Sequence, residues 1–444
     1  MTVIAFIVGV VLLVIGLAVS IALHELGHLM PAKRFGVRVG QYMIGFGPTL
    51  WSRRIGETEY GFKALPLGGY ISMSGMYPPS PRADGAEGPD GVDGQVASGK
   101  AGGFFATMVQ EARTANDQTL ADAGARRAFY ELPVWQRVVI MLGGPVMNLL
   151  LAMVLFGIML SGIGVQTATT TIASVSECVL SSDSTQTECT ADDPASPAAE
   201  AGLLPGDVIV SVDGTAVDTF AEASEIIQAS PDETLAIVVE RDGEQLTLEV
   251  TPMLAEREVL ADDGTTTTAE VGFVGMTAAV AYVRQPVWAG PEAALAQAGE
   301  VAAIIWQLPQ RVWDTAVDMV TGQERDADSP LSIVGAGRLA GEVAAVDAPV
   351  LNRVSGLLGL LASLNVALFV FNLIPLLPLD GGHVVIALWD GLKRAWAKLL
   401  RRGAAKPVDA TKLVPVTFVV VIALVAMGGV LILADLVNPV QLLG

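Results

Sequence analysis

The sequence predicts a polytopic α-helical membrane protein with a soluble α+β domain inserted between two of its spans. Three observations predict this fold class. The 444 residues contain four long apolar runs. The mean hydropathy is +0.53, and only 16% of the residues are charged. Between the second and third runs lies a polar stretch in which short strand-like segments alternate with turns. A composition this apolar is typical of membrane proteins rather than of soluble domains.

The four apolar runs cover residues 3–30, 138–163, 354–376 and 413–437. Each is close to the roughly 20 residues that an α-helix needs to cross the hydrocarbon core. The first run contains no charged residue before Glu25 and has no basic start. It is therefore predicted to be a retained transmembrane helix rather than a signal peptide.

The orientation of the spans follows from the Lys and Arg residues in the connecting segments, because these residues favour the cytoplasmic side. Segment 31–137 carries twelve of them and segment 377–412 carries seven, whereas the much longer segment 164–350 carries six. The two basic segments are predicted to be cytoplasmic. The N-terminus, the 164–350 region and the C-terminus are then extracytoplasmic.

Two polar stretches follow the first span. Residues 45–76 mix Gly and Pro with β-prone runs at Glu59–Phe62 and Gly69–Met73, which predicts hairpins. Residues 78–125 are rich in Pro, Gly, Ala, Asp and Ser, a composition typical of a disordered segment. We expect a disordered acidic insert on the cytoplasmic side.

Residues 166–255 predict a small α+β domain. Strand-like runs such as DVIVSV and TLAIVVE alternate with turns, and the dipeptides Asp213-Gly214 and Asp242-Gly243 lie where hairpin turns belong. Residues Ala221–Ala229 supply a short helix between them. The net charge of −20 argues against a nucleic-acid partner, whose phosphates would be repelled.

In chain order, the sequence first predicts the first span with a hairpin (1–77), the insert (78–125), the second span (126–165) and the soluble domain (166–255). An extracytoplasmic linker follows at 256–350, with amphipathic helices at 291–322 and 331–346. The last segments are the third span with the Leu379-Asp380-Gly381 motif (351–389), a basic cytoplasmic loop (390–412), and the fourth span with the tail (413–444).

The motif that carries chemistry is His24-Glu25-Leu26-Gly27-His28, near the end of the first span. Residues i and i+4 of a helix share one face, so both imidazoles can hold one metal ion. Glu25 lies beside that ion and can take a proton from a water that the metal activates. The alternative is a structural pair of core histidines. Two His and a Glu within a transmembrane helix are costly, however, and are functional by default.

A catalytic zinc ion needs a third protein ligand. The chain has one further histidine, His383, which follows Asp380 closely after the third span. Both Asp380 and His383 have suitable chemistry. Because the first and third spans both run from outside to inside, their cytoplasmic ends place these residues at the membrane depth of His24 and His28.

At these residues the chain resembles the site-2 protease family of intramembrane metalloproteases, in a bacterial and actinobacterial branch that regulates envelope stress. The HELGH motif in a first span is followed by NLIPLLPLDGG at Asn372–Gly382 after a later span. The remaining matching segments are FGPTLW (Phe46–Trp51), ETEYGFKALPLGGY (Glu57–Tyr70), GGPVMN (Gly143–Asn148), SPLSIVG (Ser329–Gly335) and a segment similar to PDZ domains, PAAEAGLLPGDVIVSVDG (Pro197–Gly214).

The resemblance implies the metal site. His24, His28 and Asp380 would bind Zn²⁺, and Glu25 would be the general base. Asp380 is preferred over His383 because the family ligand is the aspartate of the LDG motif. His383 would then pack beside the ligands or support them.

The resemblance also implies the substrate-binding residues. Asn372 would hydrogen-bond the substrate backbone, with helix–helix packing as its alternative role. Residues Tyr60–Met76 would form a hairpin dipping into the membrane, with Gly68, Gly69 and Tyr70 on an edge strand that pairs with the unwound substrate. A plain turn is the alternative for the two glycines.

Three further residues take roles from their position. Asn148 is an intramembrane amide that packs or supports a ligand. Pro375 and Pro378 would break the third span and carry Asp380 to the metal.

The implied activity is that of a zinc metalloendopeptidase that performs regulated intramembrane proteolysis. Its substrates would be single-span membrane proteins of the anti-sigma-factor type, first cut outside the cell by a site-1 protease, and signal-peptide remnants. The PDZ-like domain would restrain intact substrates or bind a new C-terminus. The alternatives are a catalytically silent PDZ-containing receptor or scaffold, which would not need Glu25, and a metal transporter, whose polar residues would be spread through several spans.

Cys178 and Cys189 lie eleven residues apart in one polar segment. If that segment is extracytoplasmic, a disulfide between them is expected, with two unpaired thiols as the alternative. The implied location is the bacterial plasma membrane, and the PDZ-like domain would lie outside the cytoplasm.

Overall fold

The computed structural model describes residues 2–76, 109, 119, 126–179, 189–190, 193–260, 266–323, 325–326, 329–401, 408 and 410–440. The chain forms two compact units: Met1–Gly162 together with Pro286–Gly444, and Ile163–Gln285. The first is called the helical unit and the second the α+β unit. The predicted insert at 78–125 lies almost wholly outside the described residues.

The α-helices are, in chain order, α1 (Thr2–Arg34), α2 (Val134–Gly157), α3 (Pro197–Glu200), α4 (Phe220–Gln228), α5 (Ala289–Ile305), α6 (Leu308–Thr321), α7 (Ile333–Ala345), α8 (Val350–Asn372), α9 (Asp380–Leu399) and α10 (Val414–Val437). A π-helical turn, Ile158–Ile163, continues α2.

The strands are β1 (Val39–Ile55), β2 (Thr58–Met73), β3 (Val165–Val175), β4 (Val208–Val212), β5 (Thr215–Ala216), β6 (Leu235–Arg241), β7 (Glu244–Val250), β8 (Met253–Leu260), β9 (Thr266–Phe273) and β10 (Met276–Val283).

Four of the described helices are long and apolar enough to cross a membrane: α1, α2 with its π turn, α8 and α10. They coincide with the four predicted runs, so the chain is a multi-pass membrane protein. The third helix ends at Asn372, before the predicted boundary at 376, because residues 373–379 form a series of turns around Pro375 and Pro378.

Strands β1 and β2 form an antiparallel hairpin that folds back on itself. Residue Met43 pairs both with Tyr70 and with Gly61, so the first half of β1 lies between the two halves of β2. The prediction of a hairpin within 60–76 was wrong in its pairing, because both β-prone runs belong to β2 and pair with β1. The segment Gly69–Met73 is left at one edge of this four-segment sheet.

The α+β unit is built on a sheet with the strand order β10-β3-β4-β6-β7, and β5 pairs with β4. Both predicted DG turns are present, between β4 and β5 and between β6 and β7, and α4 matches the predicted helix at Ala221–Ala229. The unit extends to Gln285, beyond the predicted boundary at 255, because β10 pairs along the length of β3. Cys178 and Cys189 form a disulfide in this unit.

The segments predicted to be amphipathic surface helices are in part packed inside the helical unit. Helix α5 buries Ala294 and Ala298 in one cluster with residues of α2 and α8. Helix α7 packs against α1, where a Cβ on Gly9 would lie 2.6 Å from the side chain of Ala344. Only α6 keeps a polar face with exposed apolar residues such as Trp313 opposite it.

The Ser329–Gly335 motif is anchored to the last span by a buried carboxylate. Asp435 of α10 accepts hydrogen bonds from the backbone N–H groups of Ser332 and Gly335, at 2.7 and 3.1 Å. Arg325 donates to the other oxygen of Asp435 at 2.5 Å, and both side chains are almost fully buried. A negative charge at the N-terminus of α7 is stabilised by the free N–H groups there, so this contact joins α7 to α10.

A second buried carboxylate organises the α+β unit. Asp207 is 1% exposed and receives two hydrogen bonds from the Arg241 guanidinium, at 2.7 and 2.8 Å. The Arg241 guanidinium and the N–H of Leu204 hold the pKa of the Asp207 carboxyl below its usual value, against the effect of burial. A carboxyl whose pKa is lower in the folded state stabilises that state above its unfolded pKa of about 4, and the stabilisation is lost as the pH falls through the folded pKa.

We predict that Asp207→Asn in the full chain destabilises the α+β unit by about 2 kcal/mol at pH 7, because a charge-assisted pair is lost. Hydrogen–deuterium exchange of β4 and β6 should show the loss of protection. The exposed Asp218→Asn is the matched control and should leave exchange unchanged. Below about pH 4 the difference between wild type and Asp207→Asn should shrink. Equal protection at pH 7 would contradict the role of the pair.

Candidate metal centre

Helix α1 brings two imidazoles to one face near its C-terminal end. His24 and His28 are one turn apart, and their Nε2 atoms lie 3.2 Å from each other. His28 is 4% exposed and is the more deeply buried of the two. The i, i+4 spacing therefore places two nitrogen donors side by side, as predicted.

Asp380 reaches this face because the chain turns sharply after α8. Residues 373–379 interrupt the helix, and α9 begins at Asp380 itself. Gly381 and Gly382 follow, and a Cβ on Gly382 would lie 2.6 Å from the backbone nitrogen of Leu377. The first turn of α9 packs directly on the preceding turns, which a larger residue would prevent.

The three side chains form a nearly equilateral triangle of donor atoms. Oδ2 of Asp380 lies 3.3 Å from Nε2 of His24 and 3.3 Å from Nε2 of His28. Two ligand atoms at zinc distances of 2.0–2.1 Å, at a tetrahedral angle, are about 3.3 Å apart. Oδ2 is also buried without a hydrogen-bond partner in the described part of the chain. The donor set and its spacing therefore fit one tetrahedral zinc ion with an open fourth position.

Helix α2 provides a contact to the Nδ1 atom of each imidazole. Nδ1 of His28 lies 2.7 Å from the backbone oxygen of Ile140, which can only accept a hydrogen bond. Nδ1 must therefore carry the proton, and Nε2 of the neutral imidazole is left with a lone pair for a metal.

The second imidazole contacts a side chain of the same helix. The Asn148 amide nitrogen lies 3.1 Å from Nδ1 of His24, and the amide oxygen is buried without a partner among the described residues. A half-turn of the amide would present this oxygen to an Nδ1–H group. Asn148 can thus hold His24 with Nε2 free for a metal.

Glycines permit the close approach of α1 and α2. A Cβ on Gly143 would lie 2.7 Å from the carbonyl carbon of Gly27. A Cβ on Gly144 would lie 2.8 Å from Nε2 of His24 and would also collide with His28. The GGPVMN segment therefore supplies space for both imidazoles and, through Asn148, the partner of His24.

The edge of the β1–β2 sheet lies beside Glu25. Glu25 is buried next to His24, and a Cβ on Gly69 would lie 3.0 Å from Cγ of Glu25. The Tyr42 hydroxyl, on β1, donates to the backbone oxygen of Ala22 at 2.7 Å. Burial, with Glu25 and Tyr60 nearby, raises the pKa of Tyr42 to about 12, so the hydroxyl keeps its proton.

The other residues predicted for the site are not members of the donor triangle. His383 is one turn beyond Asp380 in α9 and does not belong to the three-residue group that can hold an ion. Gly68 has φ +122°, and the Tyr70 hydroxyl donates to Gln41. Asn372 ends α8, and its amide donates to the Leu368 backbone oxygen at 2.9 Å.

Sequence reasoning missed an ion pair that fixes α9 against α2. Arg137 donates to Asp390 at 2.9 Å, and both side chains are almost fully buried. The second oxygen of Asp390 accepts from the backbone N–H of Val408 at 2.8 Å. The available signal was a charged residue near the start of α2 and another in the middle of α9, but nothing in the sequence shows that the two are partners.

Comparison with known proteins places the chain in one family. Residues 12–406 match peptidase family M50. The chain is 34% identical to zinc metalloprotease Rip1 of Mycobacterium tuberculosis, covering 98% of this chain and 99% of that protein. It is 33% identical to zinc metalloprotease Rip1 of Mycolicibacterium smegmatis, covering 98% of each. It is 28% identical to metalloprotease MmpA of Caulobacter vibrioides, covering 88% of each. Near the C-terminal end of a helix long enough to span a membrane, two histidines form with Asp380 a donor triangle of the dimensions that zinc requires. This chain belongs to peptidase family M50 and is a zinc metalloprotease of the membrane.

Proposed function

We propose that this protease is an intramembrane endopeptidase that cuts single-span membrane proteins near the cytoplasmic end of their span. The observation that carries the proposal is the donor triangle of His24, His28 and Asp380, with the buried carboxylate of Glu25 beside it, on a helix long enough to span a membrane. Polar groups at such a position are costly and are retained for function. The scaffold alternative gives no reason to bury a fourth ionisable group there.

We assign His24, His28 and Asp380 as the zinc ligands and Glu25 as the general base. Zinc at this site would lower the pKa of a water molecule toward about 7 and polarise the scissile carbonyl. Glu25 would accept the proton of that water and deliver it to the leaving nitrogen. The Ile140 carbonyl holds His28 in the tautomer that leaves Nε2 free, and the Asn148 amide, turned by half a turn, would do the same for His24.

The substrate would bind in extended form along the sheet edge at Gly69–Met73. A helix satisfies its own backbone groups, so a protease must unwind it before the peptide bond is accessible. Strand addition at this edge would satisfy the exposed substrate backbone, and Gly69 brings the edge against Glu25. Gly68, Tyr70 and Asn372 are assigned to this substrate-binding edge. The hairpin would dip into the membrane from the cytoplasmic side.

We propose a topology in the bacterial plasma membrane in which the N-terminus, the α+β unit and the C-terminus lie outside the cytoplasm. The substrates would be anti-sigma-factor-type proteins after a first extracytoplasmic cut by a site-1 protease, and signal-peptide remnants. Such substrates present a short new C-terminus outside the membrane.

A groove in the α+β unit offers a place for that C-terminus. A cleft of 230 Å³ is lined by Phe220, Ser224 and Ile227 of α4, by Gly272 of β9 and Met276 of β10, and by Gly275 between these strands. We assign this unit as the PDZ-like domain. The backbone of the glycine-containing loop would bind the terminal carboxylate, and the apolar side chains would bind the last residue.

The test of the activity is cleavage of a single-span reporter by purified protein, comparing wild type with Glu25→Gln. The variant is isosteric and retains the ligands but cannot accept a proton, so we expect cleavage to fall at least about 10³-fold while zinc content is unchanged. A zinc chelator should abolish wild-type cleavage. If neither protein cuts several reporters at full zinc occupancy, the proposed activity is wrong.

We predict that Gly144→Ala lowers zinc content, because the added Cβ would occupy the space of both imidazoles. Metal analysis of the purified protein should show a loss of roughly tenfold in zinc affinity. Gly157→Ala on the same helix is the matched control, since a Cβ at Gly157 meets no atom within 4 Å among the described residues. Equal zinc content in the two variants would contradict the close-packing argument.

Two asparagines should separate ligand support from substrate binding. Asn148→Ala should weaken zinc binding by roughly 10- to 100-fold, as the loss of a partner to a metal-bound histidine does. Asn372→Ala should leave zinc binding unchanged and lower kcat/KM on the reporter. Metal titration and reporter kinetics on both variants measure the difference. Weakened zinc binding in Asn372→Ala would remove its assignment to the substrate.

A further inference from the structure

Helix α9 carries an exposed apolar stripe that no other described element covers. Its six members recur at helical spacing along the whole helix and are each 47–75% exposed: Val385, Leu388, Trp389, Leu392, Trp396 and Leu399. An amphipathic helix normally turns such a stripe toward the protein core. Here the stripe faces away from the helical unit.

The opposite face of α9 is fixed against α2, so the helix cannot rotate to bury the stripe. Asp390 is held by Arg137 in the buried ion pair, and a Cβ on Gly391 would lie 3.1 Å from the side chain of Val134. Val384 packs on the apolar cluster that contains Ile140. Rotation of α9 would break the ion pair and leave a buried charge unpartnered.

Basic residues accompany the stripe at the C-terminal end of the helix. Lys398 and Arg401 are exposed and lie within or just beyond the last two turns, whereas Arg394 lies on the face opposite the stripe. Trp135, at the adjacent cytoplasmic end of α2, is 58% exposed and adds a third tryptophan to Trp389 and Trp396. Tryptophans with neighbouring Lys and Arg residues are typical of the zone where a membrane meets water.

We infer that α9 docks through its apolar stripe on the cytoplasmic leaflet, and that its basic residues bind the headgroups of anionic phospholipids. Charge complementarity selects this partner, because the cytoplasmic leaflet is negative and these exposed side chains are positive. The spans α1, α2, α8 and α10 already fix the protein in that bilayer. The inference rests on the topology within the proposed function.

The docked helix begins with a proposed zinc ligand. Asp380 is the first residue of α9, and the chain before it is a turn rather than a helix. The position of Asp380 therefore depends on what holds α9, which is the Arg137–Asp390 pair on one face and the lipid on the other. Binding of anionic lipid to α9 stabilises the arrangement in which the donor triangle is closed.

A pair of cysteine variants tests the docking. The structure joins Cys178 and Cys189, so an introduced cysteine is the only free thiol among the described residues. Leu392→Cys lies on the stripe, and Arg394→Cys, two residues away on the opposite face, is the matched control. In membrane vesicles with the cytoplasmic side outward, a polar maleimide should modify Leu392→Cys roughly tenfold more slowly than Arg394→Cys. A fluorophore at Leu392→Cys should be quenched by brominated phosphatidylcholine, whereas one at Arg394→Cys should not.

Several outcomes would overturn the inference. Equal modification of the two cysteines would mean that the stripe is solvated. Slow modification of Leu392→Cys without quenching would mean that protein covers it, and a disulfide-linked dimer of that variant would identify a second copy. Modification of Arg394→Cys from the extracytoplasmic side would overturn the topology. None of these readouts requires cleavage, so they are independent of the Glu25→Gln experiment.

The role of charge is tested in vesicles of phosphatidylcholine with or without phosphatidylglycerol. For the Leu392→Cys protein, quenching and zinc retention should both increase with phosphatidylglycerol. The added double substitution Lys398→Gln, Arg401→Gln should remove that increase. The charge-preserving pair Lys398→Arg, Arg401→Lys should retain it. An increase that persists in the neutralised variant would show that the basic residues do not bind the headgroups.

Discussion

The fold of the helical unit depends on one constraint: a polar group inside a membrane bundle must have a partner within the protein. The helix that carries the histidines can exist only where α2 supplies the Ile140 carbonyl and the Asn148 amide. The same constraint is met elsewhere by the Arg325–Asp435 pair, and by Asn365 of α8, whose amide donates to Ser20 of α1 at 2.9 Å. The contacts of His24, His28 and Asn365 each join two helices, and the Arg325–Asp435 pair joins the segment before α7 to α10, so the polar groups that make the site also fix how the helices pack.

The polar contacts between helices also require that the helices approach one another closely. Hydrogen bonds between side chains and the backbone of a neighbouring helix require short interaxial distances, which bulky residues prevent. The contacts of Gly27 with Gly143, and of Gly144 with His24, meet that requirement. Zinc binding, helix packing and the placement of the sheet edge beside Glu25 are therefore parts of one arrangement of small and polar residues.

Much of this arrangement could be predicted from periodicity and spacing. The four spans, the i, i+4 histidines, the DG turns and the helix at Phe220–Gln228 are local patterns, and local patterns determine them. The third proposed ligand remained ambiguous between Asp380 and His383 on chemistry alone, because its position depends on a turn between two helices. The pairing of β2 with β1, the extension of the α+β unit through β10, and the Arg137–Asp390 pair depend on contacts between distant segments. No period in the sequence encodes such contacts.

The proposed ligands come from opposite ends of the chain. His24 and His28 belong to the first helix, whereas Asp380 follows His28 by 352 residues. During synthesis, the first span enters the membrane with only part of a metal site, and the donor triangle forms only after α8 has been inserted and the chain has turned. With these three ligands, a nascent chain would lack a complete zinc site until its last helices have been made. A product that ends before α9 would lack the third proposed ligand as well.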